Sequence, residues 1–376
     1  MSEWKDIELG QIAEVQTGPF GSQLKNEQYV TGGTPVVTVE HIKEFCIQNF
    51  NYPSVTEADK ERLKKYLVKT GDILFTRVGS VDLSAYVQSH QNGWMFSSRM
   101  LRVRPNKEID SRFLSYSFQQ KSFREFILNI SVGATMPSIN TEILKSIPVS
   151  YPPLPTQRAI ASILTSLDDK IDLLHRQNKT LEQMAETLFR QWFVVEAKEG
   201  WETQKLGDFI QPKKGRNITK SEAIDGEFPV VAGGLEPSCY HNQSNTKAPV
   251  ITVSASGANA GFVRLYNSPV WSSDSSYIDE TITPYVFFFY VFLKFNQEIL
   301  FDKQEGSAQP HIYPSHIMEL EVPSFPNDMI ANFENVVKPM FQKIKSNQTQ
   351  IRTLTAMRDS LLPKLMSGEV RVGEAM

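Results

Sequence analysis

Ile160-Ala161-Ser162-Ile163-Leu164-Thr165-Ser166-Leu167-Asp168-Asp169-Lys170-Ile171-Asp172-Leu173-Leu174-His175-Arg176-Gln177-Asn178-Lys179-Thr180-Leu181 is the stretch from which the rest of the chain is read. Its apolar stripe runs through Ile160, Leu164, Leu167, Ile171 and Leu174, then Asn178, then Leu181, Ala185, Leu188 and Trp192. Steps of four and three alternate, which is the seam of a coiled coil. Moving 173 positions along gives Phe333, Val337, Met340, Ile344, Asn347, Ile351, Leu354, Arg358, Leu361 and Leu365, the same seam interrupted by one Asn and one Arg. Two such stripes in one chain are most simply buried against each other, because each alone would leave contiguous apolar surface in water.

A domain's length of chain separates the two seams and permits an antiparallel pair, in which facing residues have indices of constant sum. A sum of 525 sets Asn178 opposite Asn347, Ile171 opposite Leu354 and Leu181 opposite Ile344. A buried Asn pair fixes register at some cost in stability, so Asn178 and Asn347 are the candidates for setting it. Ser166 and Pro339 are equivalent under the same shift and suit helix starts, one as N-cap and one as first-turn proline. Helices that begin there overlap better in a register one heptad further along. From Ser166 to Phe193 is 28 residues, about 42 Å at the α-helical rise, slightly more than one turn of B-DNA. Such helices can serve as a ruler between two domains; an ordinary helical hairpin inside a core is the plainer alternative.

Working outward, the domains flanking the seams are also repeated. Trp4-Lys5-Asp6-Ile7-Glu8-Leu9-Gly10 recurs as Trp201-Glu202-Thr203-Gln204-Lys205-Leu206-Gly207, a shift of 197. Gly133-Ala134-Thr135-Met136-Pro137-Ser138-Ile139 recurs as Gly306-Ser307-Ala308-Gln309-Pro310-His311-Ile312, a shift of 173 that holds onward to Phe193 and Met366. The second copy is therefore 24 residues shorter between its start and this turn. Runs such as Thr34 to Val39, Gly71 to Thr76 and Pro249 to Val253, bounded by Gly and Pro, read as strands. Phe113 to Ile130 and Tyr285 to Leu300 are too apolar for surface loops and match at the 173 shift, which predicts one buried helix in each copy. The reading is α+β: domains over 1–152 and 197–325, and helical regions over 153–196 and 326–376.

Composition narrows the function. A formal net charge of −3 excludes a uniformly basic protein, so any nucleic-acid contact must come from local basic surface or from partners. Cys46 and Cys239 stand alone, without metal-ligand spacing, and read as buried thiols. The opening residues do not form a secretory leader, and no apolar run approaches the roughly 20 residues of a membrane span, so a cytoplasmic protein with no membrane partner is expected. Phosphate-loop, dinucleotide-turn and His-Glu-x-x-His motifs do not occur, and no cofactor is expected. Tyr151-Pro152-Pro153-Leu154 lacks the amide or carboxylate of an amino-methylating motif and reads as a helix entry. His311 and His316 read as polar surface, and Gly257 to Gly261 as a tight strand connection. No catalytic residue is assigned.

The candidates for DNA contact are basic and polar. In the first copy they are Lys25, Arg77 and Arg99, with Arg102 and Arg104 alternating along a strand whose wet face they could form; in the second they are Lys213, Lys214, Arg216 and Lys220, with Gln309 able to reach adenine. Arginine suits bidentate contact with guanine and lysine suits phosphate, although a charge run is usually a solvated face. Trp192 and Phe193 are candidates for docking a protein partner.

Three segments resemble the conserved regions of type I restriction-modification specificity subunits: Tyr151-Pro152-Pro153-Leu154-Pro155-Thr156-Gln157-Arg158, Leu167 to Leu174, and Leu188-Phe189-Arg190-Gln191-Trp192-Phe193. The segment Leu354 to Glu369 resembles their distal conserved region, and Thr17 to Ser22 and Gly71 to Arg77 resemble features of the first recognition domain. The second copy departs from the pattern at Asn327-Asp328-Met329 and in its shortened body. The resemblance implies two tandem target-recognition domains joined by two long antiparallel coiled-coil helical regions with pseudo-twofold symmetry. It implies a non-catalytic reader of a bipartite, asymmetric site in double-stranded DNA. Two modification (methyltransferase) subunits would dock on it, and motor-nuclease restriction subunits would be added. A duplicated protein-binding scaffold without base readout is the alternative.

Overall fold

The computed structural model describes residues 4–48, 50–133, 135–196, 201–306 and 309–372. Met1, Ser2 and Glu3 of the opening segment, and Ala134, Ser307 and Ala308 of the repeated turn, lie outside the described residues. The chain forms two compact units, Met1–Ile171 with Thr353–Met376, and Asp172–Arg352. The sequence separates domains from helical regions; the units divide the chain differently, because in each one the helical segments contribute to the same core as the strands.

In the first unit, strand Lys5–Glu8 pairs antiparallel with Pro148–Tyr151, so the two ends of the domain meet. Between them lies a four-stranded antiparallel sheet in the order Ala13–Thr17, Met100–Pro105, Ile73–Thr76, Ser84–Tyr86. Ile73–Thr76 is buried at every residue, which is why Ile73, Leu74 and Phe75 are apolar in succession rather than alternating, while the Thr76 hydroxyl is satisfied by Leu83 O at 3.0 Å. A second group of short strands orders Ser54–Val55, Thr34–Val37 and Met95–Phe96, with a hairpin of Ile42–Lys43 and Cys46–Ile47. Asp110 caps helix Ser111–Gln119 by accepting from Arg112 N and Phe113 N at 3.0 Å each, placing Phe113, Leu114 and Phe118 in a core shared with Ile160, Leu164 and Leu365. The fully buried Gln157 side chain accepts from Asp110 N at 2.7 Å and donates to Pro152 O at 2.9 Å, tying the start of that helix to the start of the long one.

The second unit repeats the plan. Thr203–Lys205 pairs with Glu321–Pro323, and the four-stranded sheet runs Lys213–Lys214, Ser275–Asp279, Val250–Ser254, Val263–Tyr266. Helix Val286–Phe295 is buried from Val286 to Leu293, and its rings pack on Phe189, Phe193, Phe333 and Phe341.

Four expectations are corrected. Each predicted single buried helix is two: Ser111–Gln119 and Lys121–Ile130, and Val286–Phe295 and Gln297–Asp302. The first break comes at Gln120, whose extended backbone (ψ 138°) cannot continue a helix. The long helices do not begin at Ser166 and Pro339. They span Leu154–Arg190, 37 residues, and Asn327–Met366, 40 residues, or about 55 and 60 Å at the helical rise. The entry signals are Pro153 and Pro326, whose carbonyls accept the first-turn bonds of Gln157 and Ile330 at 3.1 Å each, while Pro339 is carried inside a helix. Cys46 is exposed rather than buried, on a hairpin whose inward residues are Ile42 and Ile47. His316 is largely covered and reaches Glu305 at 3.4 Å.

Within the second unit, Asn347 Nδ2 donates to Asn178 Oδ1 at 2.9 Å, and the Trp192 and Phe333 rings meet at 5.8 Å. Both pairs have indices summing to 525, so these helical segments run antiparallel. Asn347 is fully buried, and its Oδ1 has no hydrogen-bond partner among the described residues. Within the first unit the seam arginine is neutralised: Arg358 Nη1 lies 2.9 Å from Asp168 Oδ1, and Tyr116 Oη donates to Asp168 Oδ2 at 2.6 Å. Burial beside that carboxylate pushes the Tyr116 hydroxyl well above its ordinary range.

Candidate nucleic-acid interface

The two sheets correspond residue by residue. Leu101 pairs with Thr17 and Phe75 in the first, and Ser276 pairs with Lys214 and Val253 in the second. One step beyond the strand ends, Arg77 N donates to Arg99 O at 2.9 Å where Ala255 N donates to Asp274 O at 3.1 Å. The repeated turn docks there in both copies: Gly79 N bonds Pro137 O and Ile139 N bonds Arg77 O, matched by Gly257 N to Pro310 O and Ile312 N to Ala255 O. Gly18 and Gly215 hold equivalent places against this corner. A Cβ on Gly18 would lie 2.1 Å from Ser97 O and one on Gly215 2.4 Å from Ser273 O, so only glycine lets the strands approach.

Arg77 is half-buried, and its guanidinium is positioned by Thr17 Oγ1 at 3.3 Å, Ser98 O at 3.4 Å and the exposed Phe20 ring at 5.9 Å. Arg99 is exposed beside it. In the second domain Lys213 and Lys214 form a strand with both side chains exposed; Arg216 follows, also exposed, its carbonyl accepting from Trp271 Nε1 at 2.7 Å. Gln309 is exposed on the turn that docks against Gly257, and Lys220 is exposed four residues beyond Arg216. Lys25 sits elsewhere, exposed before the turn Asn26–Gln28. Among the described residues, no carboxylate lies within ion-pair distance of Lys25, Arg77, Arg99, Lys213, Lys214, Arg216 or Lys220, unlike Arg62, Arg104 and Arg124.

The structure removes Arg102 and Arg104 from the wet face. The Arg102 side chain is 2% exposed and lies 2.9 Å from Glu14 and 3.9 Å from Asp72, while Arg104 grips Asp72 through two 2.7 Å bonds. Burial, with Arg104 alongside, pushes the Arg102 guanidinium below its ordinary value; its hydrogen bond to Asp72 raises that of Arg104. Lys64–Tyr66 and the Leu67 that follows lie in the stretch by which the first copy is longer, and Arg102 donates to Lys65 O and Leu67 O. Phe193 is likewise interior, 3% exposed among Phe288, Phe325 and Phe333, which leaves it no surface for a partner. Trp192 is half-buried against Phe333. Ser256 and Asp274, hydrogen-bonded to each other beside the docked turn of the second domain, are not among the sequence candidates. The only available signal was their place opposite the repeated turn, hidden by a changing offset between the copies.

Two copies of one α+β domain, each presenting unneutralised cations beside a fixed turn, define a duplicated recognition module; among the described residues no cluster of three metal-capable side chains occurs, and no helix is long and apolar enough to cross a membrane. The family described as type I restriction modification DNA specificity domain matches residues 1–183 and 198–328, and the chain belongs to it. The chain is similar to the type I restriction enzyme MjaIX specificity subunit of Methanocaldococcus jannaschii, at 26% identity over 99% of this chain and 94% of that protein. It is also similar to the HindI specificity subunit of Haemophilus influenzae, at 23% identity over 98% and 100%. The crystal structure of a type I restriction-modification S subunit from M. genitalium shares the fold, with a TM-score of 0.65 at 19% identity over 96% of each chain. The chain is thus a specificity component, the non-catalytic part of such a system.

Proposed function

We propose that this chain reads a bipartite, asymmetric site in double-stranded DNA, one half with each domain, and that its helical regions dock two modification subunits to which motor-nuclease restriction subunits are added. The observation that carries the reading is the corner described above. Backbone, glycine and docked turn are the same in both domains, while the side chains presented there differ. A common frame with unlike side chains suits the reading of unlike half-sites, since phosphate contacts position a protein and base-edge contacts specify it. The role requires access to cellular DNA and hence the cytoplasm.

The test is binding by the complex of this chain with its methyltransferase partner, measured against salt for cognate and scrambled duplexes. Cognate binding is expected to be tighter at every salt concentration, and Lys213→Ala and Arg216→Ala are each expected to lower the salt slope by about one. Equal affinity for the two duplexes would overturn sequence reading.

A further inference from the structure

We propose that the corner formed by Arg77 and Arg99 in the first domain, and by Ser256 and Asp274 in the second, is the point at which the two domains select opposite hydrogen-bonding partners: an acceptor edge such as guanine for the first, a donor edge such as the cytosine amino group for the second. The inference rests on the proposed reading of DNA and assigns residues within it.

The correspondence is fixed by backbone bonds rather than sequence likeness, since Arg77 replaces Ala255 and Arg99 replaces Asp274 across equivalent hydrogen bonds. Both hydrogen bonds made by the Arg77 guanidinium use Nη1. Among the described residues its Nε and Nη2 keep their donors free, two parallel N–H groups matched to guanine O6 and N7. Arg99, exposed and without a carboxylate, adds a second fork at the same place. In the second domain both cations are absent. Asp274 Oδ2 accepts from Ser256 Oγ, and Oδ1 has no donor among the described residues. A carboxylate at a DNA-facing corner repels phosphate, and the Oδ1 that Ser256 leaves unbonded is matched by a donor such as the cytosine N4 amino group. The second domain keeps positive charge by moving it one strand over: Lys213, Lys214 and Arg216 stand where the first domain has Gln16, Thr17 and Pro19. Attraction for the backbone is thus retained while the sign at the reading corner is reversed.

The experiment compares methylation motifs, read by modification-sensitive sequencing, in hosts carrying the complete system with wild-type, Arg77→Gln, Arg99→Gln, Arg99→Lys or Asp274→Asn chains. Arg77→Gln and Arg99→Gln should relax one guanine position in one half-site, lowering discrimination there roughly 5- to 100-fold, with the other half-site unchanged. Arg99→Lys keeps the charge but not the fork and should relax the same position. Asp274→Asn should alter one position of the other half-site only. Among the described residues the exposed Arg99 side chain has no hydrogen bond or ion pair, so its variants report even if Arg77→Gln disturbs the fold. A motif unchanged in all variants, or methylation falling equally at every site, overturns the assignment while leaving the reader intact. A wild-type chain that directs methylation without any bipartite motif overturns the underlying reading instead.

Discussion

Glu334 offers a direct test of how the second unit is held together. It projects from the long C-terminal helix into the core, 7% exposed, and accepts from Phe288 N at 2.8 Å and Phe287 N at 3.4 Å, closing the N-terminus of helix Val286–Phe295. Burial outweighs these bonds and raises its carboxyl from 4.5 to about 6. A carboxyl raised on folding is protonated more readily in the native unit than in the unfolded chain. Its contribution is therefore fully present below pH 4.5 and is lost as pH rises through 6. The difference is worth about 2 kcal/mol. Glu334→Gln keeps the acceptor for Phe288 N without the charge, so it should match wild type near pH 4.5 and exceed it by about 2 kcal/mol at pH 7.5. Urea unfolding at the two pH values measures this, with Trp4 and Trp94 replaced by Phe so that Trp192, Trp201 and Trp271 report the second unit. A difference independent of pH, or a less stable Gln variant at pH 7.5, would refute the reasoning.

Phe193→Ala should lower the stability of the second unit by about 3–5 kcal/mol, read by the same unfolding assay, with partner binding per folded molecule unchanged. Asp72→Asn takes the carboxylate from Arg104 and leaves the buried Arg102 with Glu14 alone, and should cost the first unit about 3 kcal/mol, followed through Trp4 and Trp94. Asn347→Leu removes a buried oxygen without a partner while the half-exposed Asn178 turns to water, so the urea midpoint should rise by the equivalent of about 1–2 kcal/mol; a falling midpoint would show that the Asn pair stabilises the unit.

The fold was legible where spacing carries it. The 4,3 seam is visible without structure because coiled-coil packing repeats at every turn, and the repeated turn and the Trp-x-x-x-x-Leu-Gly openings mark the domain edges. The interior was not legible, because the offset between copies drifts. It is 197 at Gly18 and Gly215, 194 at Val36 and Val230, 178 at Phe75 and Val253, 175 at Leu101 and Ser276, and 173 from Val132 and Glu305 onward. The largest step, between Val37 and Phe75, is the segment that buries Arg102. Alternation along Met100–Pro105 suggested a wet face, but strand periodicity says which face a residue takes and not what later covers it. Asp274 stayed hidden because a chemistry-changing substitution at a drifting offset leaves no mark in self-comparison.

The copies also differ in where they bury charge. In the first unit, Tyr116, Asp168 and Arg358 join the domain helix to both helical segments; at the 173 shift those positions are Phe289, Phe341 and Ala185, all buried. In the second unit Glu334 binds the domain helix to the C-terminal segment, and its counterpart is the buried Ala161. Each unit thus has its own polar tie at a place where the other has apolar packing. A helical segment carrying Arg358 set against the Phe341 environment would bury a cation without Asp168, and one carrying Glu334 set against Ser115 and Leu114 would need that helix to present its free N–H groups. Unpaired burial of either charge costs several kcal/mol. The two seams share their spacing but only three identical residues, at Ile171 and Ile344, Leu181 and Leu354, and Leu188 and Leu361, and the polar ties add a penalty against a mismatched pairing of segments whose apolar pattern is otherwise common to both.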